Sequence, residues 1–550
     1  MNIDLIAFNC RYSHSCLALF YVRNELMRHL PGARPVLRQF TINDPYFETL
    51  LAITGSQADA LFFSAYIWNA AYLRRLLDDI HRILPEQIIV LGGPQASTLR
   101  DTLSFRPTVV HSEIEGVGRD FYRDLAQGRL RDDYLCTPGQ PFPSPYSQED
   151  FQRQLKNRNI YYESSRGCPF FCAYCLSSLS RGVRIKALDE VKAELLAILA
   201  QRPPLVRFVD RTFNADPERA LAIWRFLRDN ATPGCSFHFE IAPDLFTEEM
   251  FHFLAGVDEG LFQFEIGIQS TNRETLTAIN RTMDVAKAFT SIRRLQALAG
   301  IHLHLDLILG LPLDDERSFA QSVREVLALN PHYLQMGLLK VLPGTAIART
   351  ATEQGIIFCQ EPPYQVMATR WLDHRTLSRL YWLGECVEAF YNKRYFKAFF
   401  SYLIPREQDM FAWFQGLSDC CDRHGWQGLS KTQGLLNGIL YAYSQGHGEA
   451  ALLRELLIFD WLSHGHRFLP EVFGEDLTAP KDYLWLRAAE AIAGLYTDKE
   501  RNFFFKRGTF FKFSPGALAH CGVSGQAGNG YLGFLSDRNS AHTTVVAVPV

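Results

Sequence analysis

Two kinds of hydrophobic pattern alternate through about residue 130. Ile3–Asn9, Ala60–Ser64 and Gln87–Gly92 are short apolar runs, the last dominated by Ile, Val and Leu. Ser15–Leu30 and Ala70–Leu84 place apolar residues at helical spacing between them. Runs without polar alternation are strands covered on both faces, so this stretch predicts a doubly wound (Rossmann-like) α/β domain with a parallel sheet. Ligands of such domains bind beyond the carboxyl ends of the strands.

Cys136–Ser147 holds Pro138, Pro141, Pro143 and Pro145 with Gly139, the composition of a linker. A second series of strands follows: Ile160–Ser165, Val206–Asp210, Ser236–Ile241, Gln263–Gln269, His302–Gly310 and Tyr333–Val341. Helical patterns such as Leu188–Ala200 and Pro217–Arg228 separate them. Six β/α repeats are too few for a closed eight-fold barrel and predict an open partial (β/α)6 barrel, with functional groups in the loops after the strands. Beyond about Thr369 the strand patterns stop, and Leu377–Phe400, Thr432–Tyr443 and Glu449–Leu462 predict a mainly helical region. The final stretch, rich in Gly, Ser and Ala, shows no periodicity. The expected division is therefore an α/β domain over 1–135, a linker over 136–157, a partial barrel over 158–370 and a helical region with an atypical tail over 371–550.

A chain of 550 residues exceeds one hydrophobic core, in keeping with that division. The formal charge of −3 points to neither a nucleic-acid partner nor a polybasic membrane patch. No run reaches the roughly 18 apolar residues of a spanning helix, and the N-terminus reads as a strand rather than a signal peptide. A cytoplasmic location is expected. Most of the 12 cysteines are scattered singly or, as at Cys420–Cys421, adjacent in a helical pattern, and read as buried thiols.

Three are different. The first barrel strand runs into Arg166-Gly-Cys168-Pro-Phe-Phe-Cys172-Ala-Tyr-Cys175. At this cysteine content a chance C-x₃-C-x₂-C has an expectation of about 0.006 over the chain. Three soft thiolates on one short loop suit three irons of a cubane and leave the fourth open. A structural zinc, the rival occupant, wants a fourth Cys or His.

This loop resembles the signature of the radical S-adenosylmethionine (radical SAM) superfamily. The resemblance implies a [4Fe–4S] cluster on Cys168, Cys172 and Cys175, whose open iron binds S-adenosylmethionine and cleaves it to a 5′-deoxyadenosyl radical. It puts Tyr174 near the adenine. Phe208-Val-Asp210-Arg-Thr-Phe213-Asn214 resembles the second-strand motif, with Asp210 and Asn214 towards the methionine end. Glu265-Ile-Gly267-Ile-Gln269-Ser270 resembles the fourth-strand motif, with Glu265 a cofactor contact and Gln269 and Ser270 towards the ribose. Leu307-Ile-Leu-Gly310-Leu-Pro312 resembles the turn that packs on adenine, and Leu342-Pro-Gly344-Thr the end of the sixth strand. Glu240 is a further candidate contact. Each motif taken singly also has a structural reading as a cap or a turn.

The leading α/β domain resembles the cobalamin-binding domain of B12-dependent radical enzymes through Asn9–His14, Phe63–Asn69 and Leu91–Gln95. The resemblance implies that Gly92 and Gly93 let backbone approach the corrin and that Ser64 and Asn69 hydrogen-bond its amide fringe. Asp79-Ile-His81-Arg-Ile-Leu84 lacks the glycine of the cobalt-ligating D-x-H-x-x-G string, so His81 reads as a surface residue, and His14 as a pocket residue. Glu113-Ile-Glu115-Gly116 departs from the subgroup's Gly-Glu-Gly-Glu turn. Pro362–Tyr364 and Leu456–Asp460 resemble an extension found in one branch of these proteins, which implies no activity.

The expected function is cobalamin-dependent radical methylation of a small molecule or peptide, with flavodoxin or ferredoxin as reductant. Radical chemistry without methyl transfer is the first alternative. Methylthiolation of RNA would call for more clustered cysteines than Cys10 and Cys16, and a non-catalytic zinc protein is the remaining alternative.

Overall fold

The computed structural model describes residues 1–180, 182–298, 300–474, 508–522, 530–536 and 543–547. They form two compact units, one of residues 1–304, 310–315 and 338–374, the other of residues 305–309, 316–337 and the rest of the chain from Arg375.

In the first unit, strands β1 (Asn2–Asn9), β2 (Arg34–Thr41), β3 (Ala60–Ser64), β4 (Ile88–Gly92), β5 (Thr108–His111) and β6 (Asp133–Leu135) form a parallel sheet in the order 2-1-3-4-5-6. The reversal of strand order falls between β1 and β3, where such sheets bind ligands. The three apolar runs are its centre: Ile3, Leu5, Ile6, Leu61 and Leu91 are almost wholly buried. Helix α1 (Leu17–His29) covers the sheet together with α2 (Tyr46–Thr54) and α3 (Ala70–Ile83). On α3, Leu73, Leu76, Leu77 and Ile80 recur at helical spacing and are fully buried, each worth about 1.5–3 kcal/mol of transfer free energy. The sequence pattern missed β2, an edge strand in which Arg34, Pro35, Arg38 and Gln39 break the apolar run; Arg38 is there to pair with the buried Asp4, 2.6 Å away. Strands β5 and β6 are too short to have carried a pattern.

The barrel strands are β7 (Ile160–Tyr162), β10 (Leu205–Phe208), β11 (Ser236–Glu240), β12 (Phe262–Gln269), β13 (Ile301–Leu309) and β14 (Tyr333–Leu338), adjacent in that order in a single open sheet. Between the first two, β8 (Ser165–Gly167) pairs antiparallel with β9 (Val183–Ile185). Burial alternates strictly along β12: Phe262, Phe264, Ile266 and Ile268 are inaccessible, while Gln263, Glu265, Gly267 and Gln269 are half-buried. One face is therefore the helix-packed core and the other a polar lumen. Trp224 fills that core, 5.2 Å from the ring of Phe264 and 5.8 Å from that of Phe213.

In the second unit the helices His374–Cys386, Lys397–Leu403, Met410–Arg423, Gln433–Ser444 and Ala450–Ser463 bear out the helical reading. Their aromatic residues are mostly core: Tyr391, Phe396, Phe400 and Phe414 are buried. The expectation that strands stop at Thr369 fails at the end of the chain, where Thr509–Lys512, Tyr531–Ser536 and Thr543–Ala547 pair antiparallel. Buried Phe510, Leu532 and Phe534 drive that pairing; the Gly and Ser residues around these short runs hid them. The helical expectation for 475–507, and the parts of the tail at 523–529, 537–542 and 548–550, lie outside the described residues. Among the described residues no helix is long and apolar enough to cross a membrane.

Candidate active site

The three cysteines lie on a loop closed at its neck. Ser165, Arg166 and Gly167 of β8 face Ile185, Arg184 and Val183 of β9. Gly167 has φ +100°, and a Cβ there would stand 2.1 Å from the Gly182 carbonyl, so the neck requires glycine. Inside the loop the Ala173 amide donates to the Ile279 carbonyl at 2.8 Å, and the Ala173 carbonyl accepts from Ile347 at 2.9 Å. Asn280 donates to the Phe171 carbonyl at 2.9 Å.

The middle cysteine, Cys172, is buried, and Arg281 Nη1 donates to its sulfur at 3.6 Å. Arg281 also donates to the Gly267 carbonyl. Burial works against its charge, but Tyr174 and Cys172 outweigh burial and hold the guanidinium protonated. Burial likewise keeps the Tyr174 phenol above its ordinary range. Cys168 lies 3.5 Å from the Thr212 hydroxyl. Sequence reasoning passed over Arg281 and Thr212. The first sits a dozen positions beyond Gln269 with no motif around it. Among the described residues no group of three or more His, Cys, Asp or Glu converges as the ligands of one ion would. Cysteines that each take a different iron of a cluster need not converge on a point.

The strand-end candidates separate into two kinds. Asp210, wholly buried, accepts from the Ser164 amide at 3.0 Å and from the Ser164 and Ser165 hydroxyls at 2.6 Å, which fixes the approach to the cysteine loop. Burial raises its carboxyl above the usual range, against the pull of those bonds. Asn214 exchanges two hydrogen bonds with the backbone of Ala242, at 2.8 and 2.9 Å. Ser270 accepts from the Asn272 amide at 3.1 Å as a turn cap. Gly310, at φ +92°, turns the chain after β13. These four are bracing.

Gln269 and Glu265 face the lumen. Gln269 has φ +71°, and its Oε1 is buried without a hydrogen-bond partner among the described residues, as is the Nε of Arg281. The Gln269 amide occupies the space that a Cβ on Gly267 would need. An orphaned acceptor and an orphaned donor beside the cysteine loop fit a polar ligand such as the ribose or amino-acid end of S-adenosylmethionine. Glu265 accepts from His238 Nε2 at 2.9 Å, with Arg207 at 3.9 Å. Burial opposes its charge, yet His238, His304 and Arg207 hold its carboxyl below the usual range. Burial pushes His238 below the ordinary imidazole range. Glu240, at the end of β11, is 3.9 Å from Arg211.

A cavity of ≈ 650 Å³ opens beyond the carboxyl ends of β1, β3 and β4. Ser64, Asn69, Gly92 and Gly93 all line it, as do His14, Tyr66 and Trp68. Its far wall is the start of the barrel and the neck of the cysteine loop, including Tyr161, Val209, Arg166 and Gly167. A Cβ on Gly92 would project into open space, so this wall is free to meet a flat ligand. Gly93 has another reason to be glycine: φ is +96°, and a Cβ would lie 2.6 Å from the Ala65 carbonyl. The Tyr66 and Trp68 rings stack at 4.3 Å and form a planar wall. Asn69 gives both amide hydrogens to the Phe8 and Ser64 carbonyls and accepts from the Tyr66 amide, so it holds the strand ends together. Ser64 accepts from the Cys16 thiol at 3.5 Å. His14 Nδ1 and the Tyr161 hydroxyl are 2.5 Å apart. His81 lies near the opposite end of α3, stacked on Phe105 at 4.2 Å. The cavity's size, its glycine wall and its aromatic plate fit a large planar cofactor such as cobalamin.

Residues 162–326 match the sequence family described as the radical SAM superfamily. This stretch of the chain is a radical SAM domain. Residues 352–488 match a second family, described as a protein of unknown function, DUF4080. The chain is 24% identical over 378 residues to the 2-(S-pantetheinyl)-carbapenam-3-carboxylate methyltransferase of Streptantibioticus cattleyicolor, covering 57% of this chain and 54% of that one. It is 23% identical to the cobalamin-dependent radical SAM methyltransferase TokK of Streptomyces tokunonensis, covering 53% and 48%. It thus spans about half the length of these curated relatives. Its fold is similar to that of the cobalamin-dependent S-adenosylmethionine radical enzyme OxsB, with TM-score 0.57 and 16% identity over 92% of this chain and 83% of that one. It is also similar to the radical S-adenosylmethionine methyltransferase TsrM of Kitasatospora setae, with TM-score 0.51 and 16% identity over 65% and 77%. The chain thus shares its fold with both of these enzymes.

Proposed function

We propose that this enzyme is a cobalamin-dependent radical methyltransferase holding a [4Fe–4S] cluster on Cys168, Cys172 and Cys175. The observation that carries the reading is the cavity at the strand-order reversal, one wall of which is the neck of the cysteine loop. This shared wall supports a reading in which a flat cofactor and a cluster would lie side by side. When bound, the cluster and S-adenosylmethionine supply one-electron reductive cleavage, and cobalamin supplies methyl transfer.

The chain's own residues bind, orient and exclude water. Arg281 offsets the negative charge that thiolate ligation brings to the loop. Gln269 and Arg281 offer the acceptor and donor for S-adenosylmethionine, and Tyr174 stands beside them. Gly92, Tyr66 and Trp68 would hold the corrin, while Asn69 and Gly93 keep the strand ends in place. In the lumen, Arg207, His238 and Glu265 present donors and acceptors to a polar substrate, a small molecule or a peptide. A flavodoxin or ferredoxin is the proposed electron donor.

The deciding experiment is anaerobic reconstitution with iron and sulfide in the presence of hydroxocobalamin, followed by desalting and assay of iron and cobalt. Stoichiometric retention of both supports the reading. Iron without cobalt keeps the radical chemistry and removes methyl transfer. With a substrate in hand, S-adenosylhomocysteine formed alongside 5′-deoxyadenosine separates methylation from the non-methylating alternative.

A further inference from the structure

The turn Glu113-Ile-Glu115-Gly116, which departs from the pattern of the resembled subgroup, has a specific partner. Glu115 lies 2.9 Å and Glu113 3.2 Å from the guanidinium of Arg166, the residue that opens the cysteine loop. Glu163 binds the same guanidinium at 2.8 Å. The Arg166 side chain is 13% exposed and that of Glu115 6%, so this is an interior pairing rather than a surface one. The rings of Tyr21 and Phe142 lie over the guanidinium at 4.8 and 4.4 Å. Arg184, opposite Arg166 across the neck of the loop, binds Glu113.

Three carboxylates thus converge on two guanidiniums at the neck. Glu113 and Glu115 follow β5 of the N-terminal sheet, while Arg166 and Arg184 belong to the two strands that close the cysteine loop. Glu113, Glu115, Glu163, Arg166 and Gly167 all line the cavity. An occupant of the cavity therefore rests against the groups that set the position of the cysteine loop. Nothing in the sequence motifs assigns this role to the turn, and its departure from the subgroup's pattern supplies two carboxylates, that of Glu115 buried and that of Glu113 partly exposed, at the neck of the loop.

We propose that Arg166 is a positioning residue that couples occupancy of the cavity to the cysteine loop, with Glu113 and Glu115 as the N-terminal domain's half of the coupling. The proposal rests on the two-cofactor reading above. Coupling of this kind is reciprocal, so a cluster in the loop tightens cobalamin by the same factor that cobalamin stabilises the cluster.

The test titrates the full chain, with and without the reconstituted cluster, against hydroxocobalamin by equilibrium dialysis. In the native sequence the cluster is expected to tighten the Kd about tenfold. In the Glu113→Gln/Glu115→Gln chain, reconstituted to matched iron content, the two Kd values are expected to converge to within about twofold. A double variant that binds both cofactors and keeps the tenfold difference overturns the proposal. Should the double variant melt early, Glu113→Gln alone, the more exposed of the pair, is read instead, and an unchanged ratio there overturns it too. A native chain that binds hydroxocobalamin with no effect of the cluster overturns the coupling and leaves the two-cofactor reading standing. A native chain that retains no hydroxocobalamin overturns that reading, and the coupling with it.

Discussion

Arg281 Nη1 stands 3.6 Å from the sulfur of Cys172 and joins the middle cysteine of the loop to the backbone of the fourth barrel strand at Gly267. A fixed positive charge beside a cluster ligand makes added electron density less costly. Arg281→Met is expected to shift the cluster's reduction potential to more negative values, as read by an EPR-monitored redox titration. It also removes a charge-assisted hydrogen bond worth about 1.5–3 kcal/mol. Arg281→Lys, which keeps the charge, is expected to recover most of the potential. A potential unchanged in the Met variant would remove Arg281 from the site.

Cys168 and Cys175 are half-buried, so replacing either with Ala should cost the fold little, whereas Cys172→Ala also removes the sulfur that accepts from Arg281 and is expected to lower the melting temperature. Each variant is expected to lose the brown Fe–S absorption and the cleavage of S-adenosylmethionine while keeping the native circular dichroism spectrum. A single variant that retained iron at the native level would show that its cysteine is not a ligand.

Gly92 and Gly93 are adjacent and should respond in opposite ways. Gly92→Val puts a side chain into open cavity space, so the native melting temperature is expected with cobalamin affinity at least about tenfold weaker, or about 1.4 kcal/mol. Gly93→Ala meets the Ala65 carbonyl at 2.6 Å and a positive φ that alone costs about 1–2 kcal/mol, so the fold itself is expected to weaken. Differential scanning calorimetry with a cobalt assay after desalting distinguishes the two effects.

Asp210→Ala leaves the buried Ser164 amide without its acceptor, a loss of about 1–3 kcal/mol. The strand leading to the cysteine loop is what it holds, so iron retention should fall as well as melting temperature. Asp210→Asn, which retains an acceptor oxygen, should be milder on both measures.

In the second unit two buried groups pull stability in opposite directions with pH. Burial pushes His332 down to about 4 from 6.5, so the unfolded chain takes up a proton first and stability falls as pH drops through that window. Burial pushes Asp460 up to about 7 from 3.8, against the hydrogen bonds from the Phe399 and Ala398 amides. The native state then holds the extra proton, and stability rises as pH drops through 7 towards 3.8. The two nearly cancel between about pH 4 and 6.5. Asp460→Asn removes one side of the balance, so its urea midpoint is expected to rise with pH across that range more steeply than that of the native chain.

The sheet of the first unit was legible because its central strands are buried on both faces and leave uninterrupted apolar runs at Ile3–Asn9, Ala60–Ser64 and Gln87–Gly92. Strand β2 escaped because an edge strand half-exposed to water carries Arg38 and Gln39 without penalty. The cysteine trio was legible because ligand spacing on one loop is local in sequence. Arg281 and the pairing of Arg166 with Glu113 and Glu115 were not, since they depend on residues far apart in the chain meeting in three dimensions. Asp210, Asn214 and Ser270 illustrate the converse. Their motifs singled out these strand ends, and there the side chains are used to hold the loops.

The pairing of Ser165–Gly167 with Val183–Ile185 has a consequence for assembly. A ligand loop that must close around its metal bears the closure entropy during insertion, about 2 kcal/mol for a loop of this length. Here a strand ladder made of backbone hydrogen bonds alone ties the ends, and a clasp at Ala173 holds the middle. The chain's own pairing thus bears much of the closure cost that would otherwise fall on the metal.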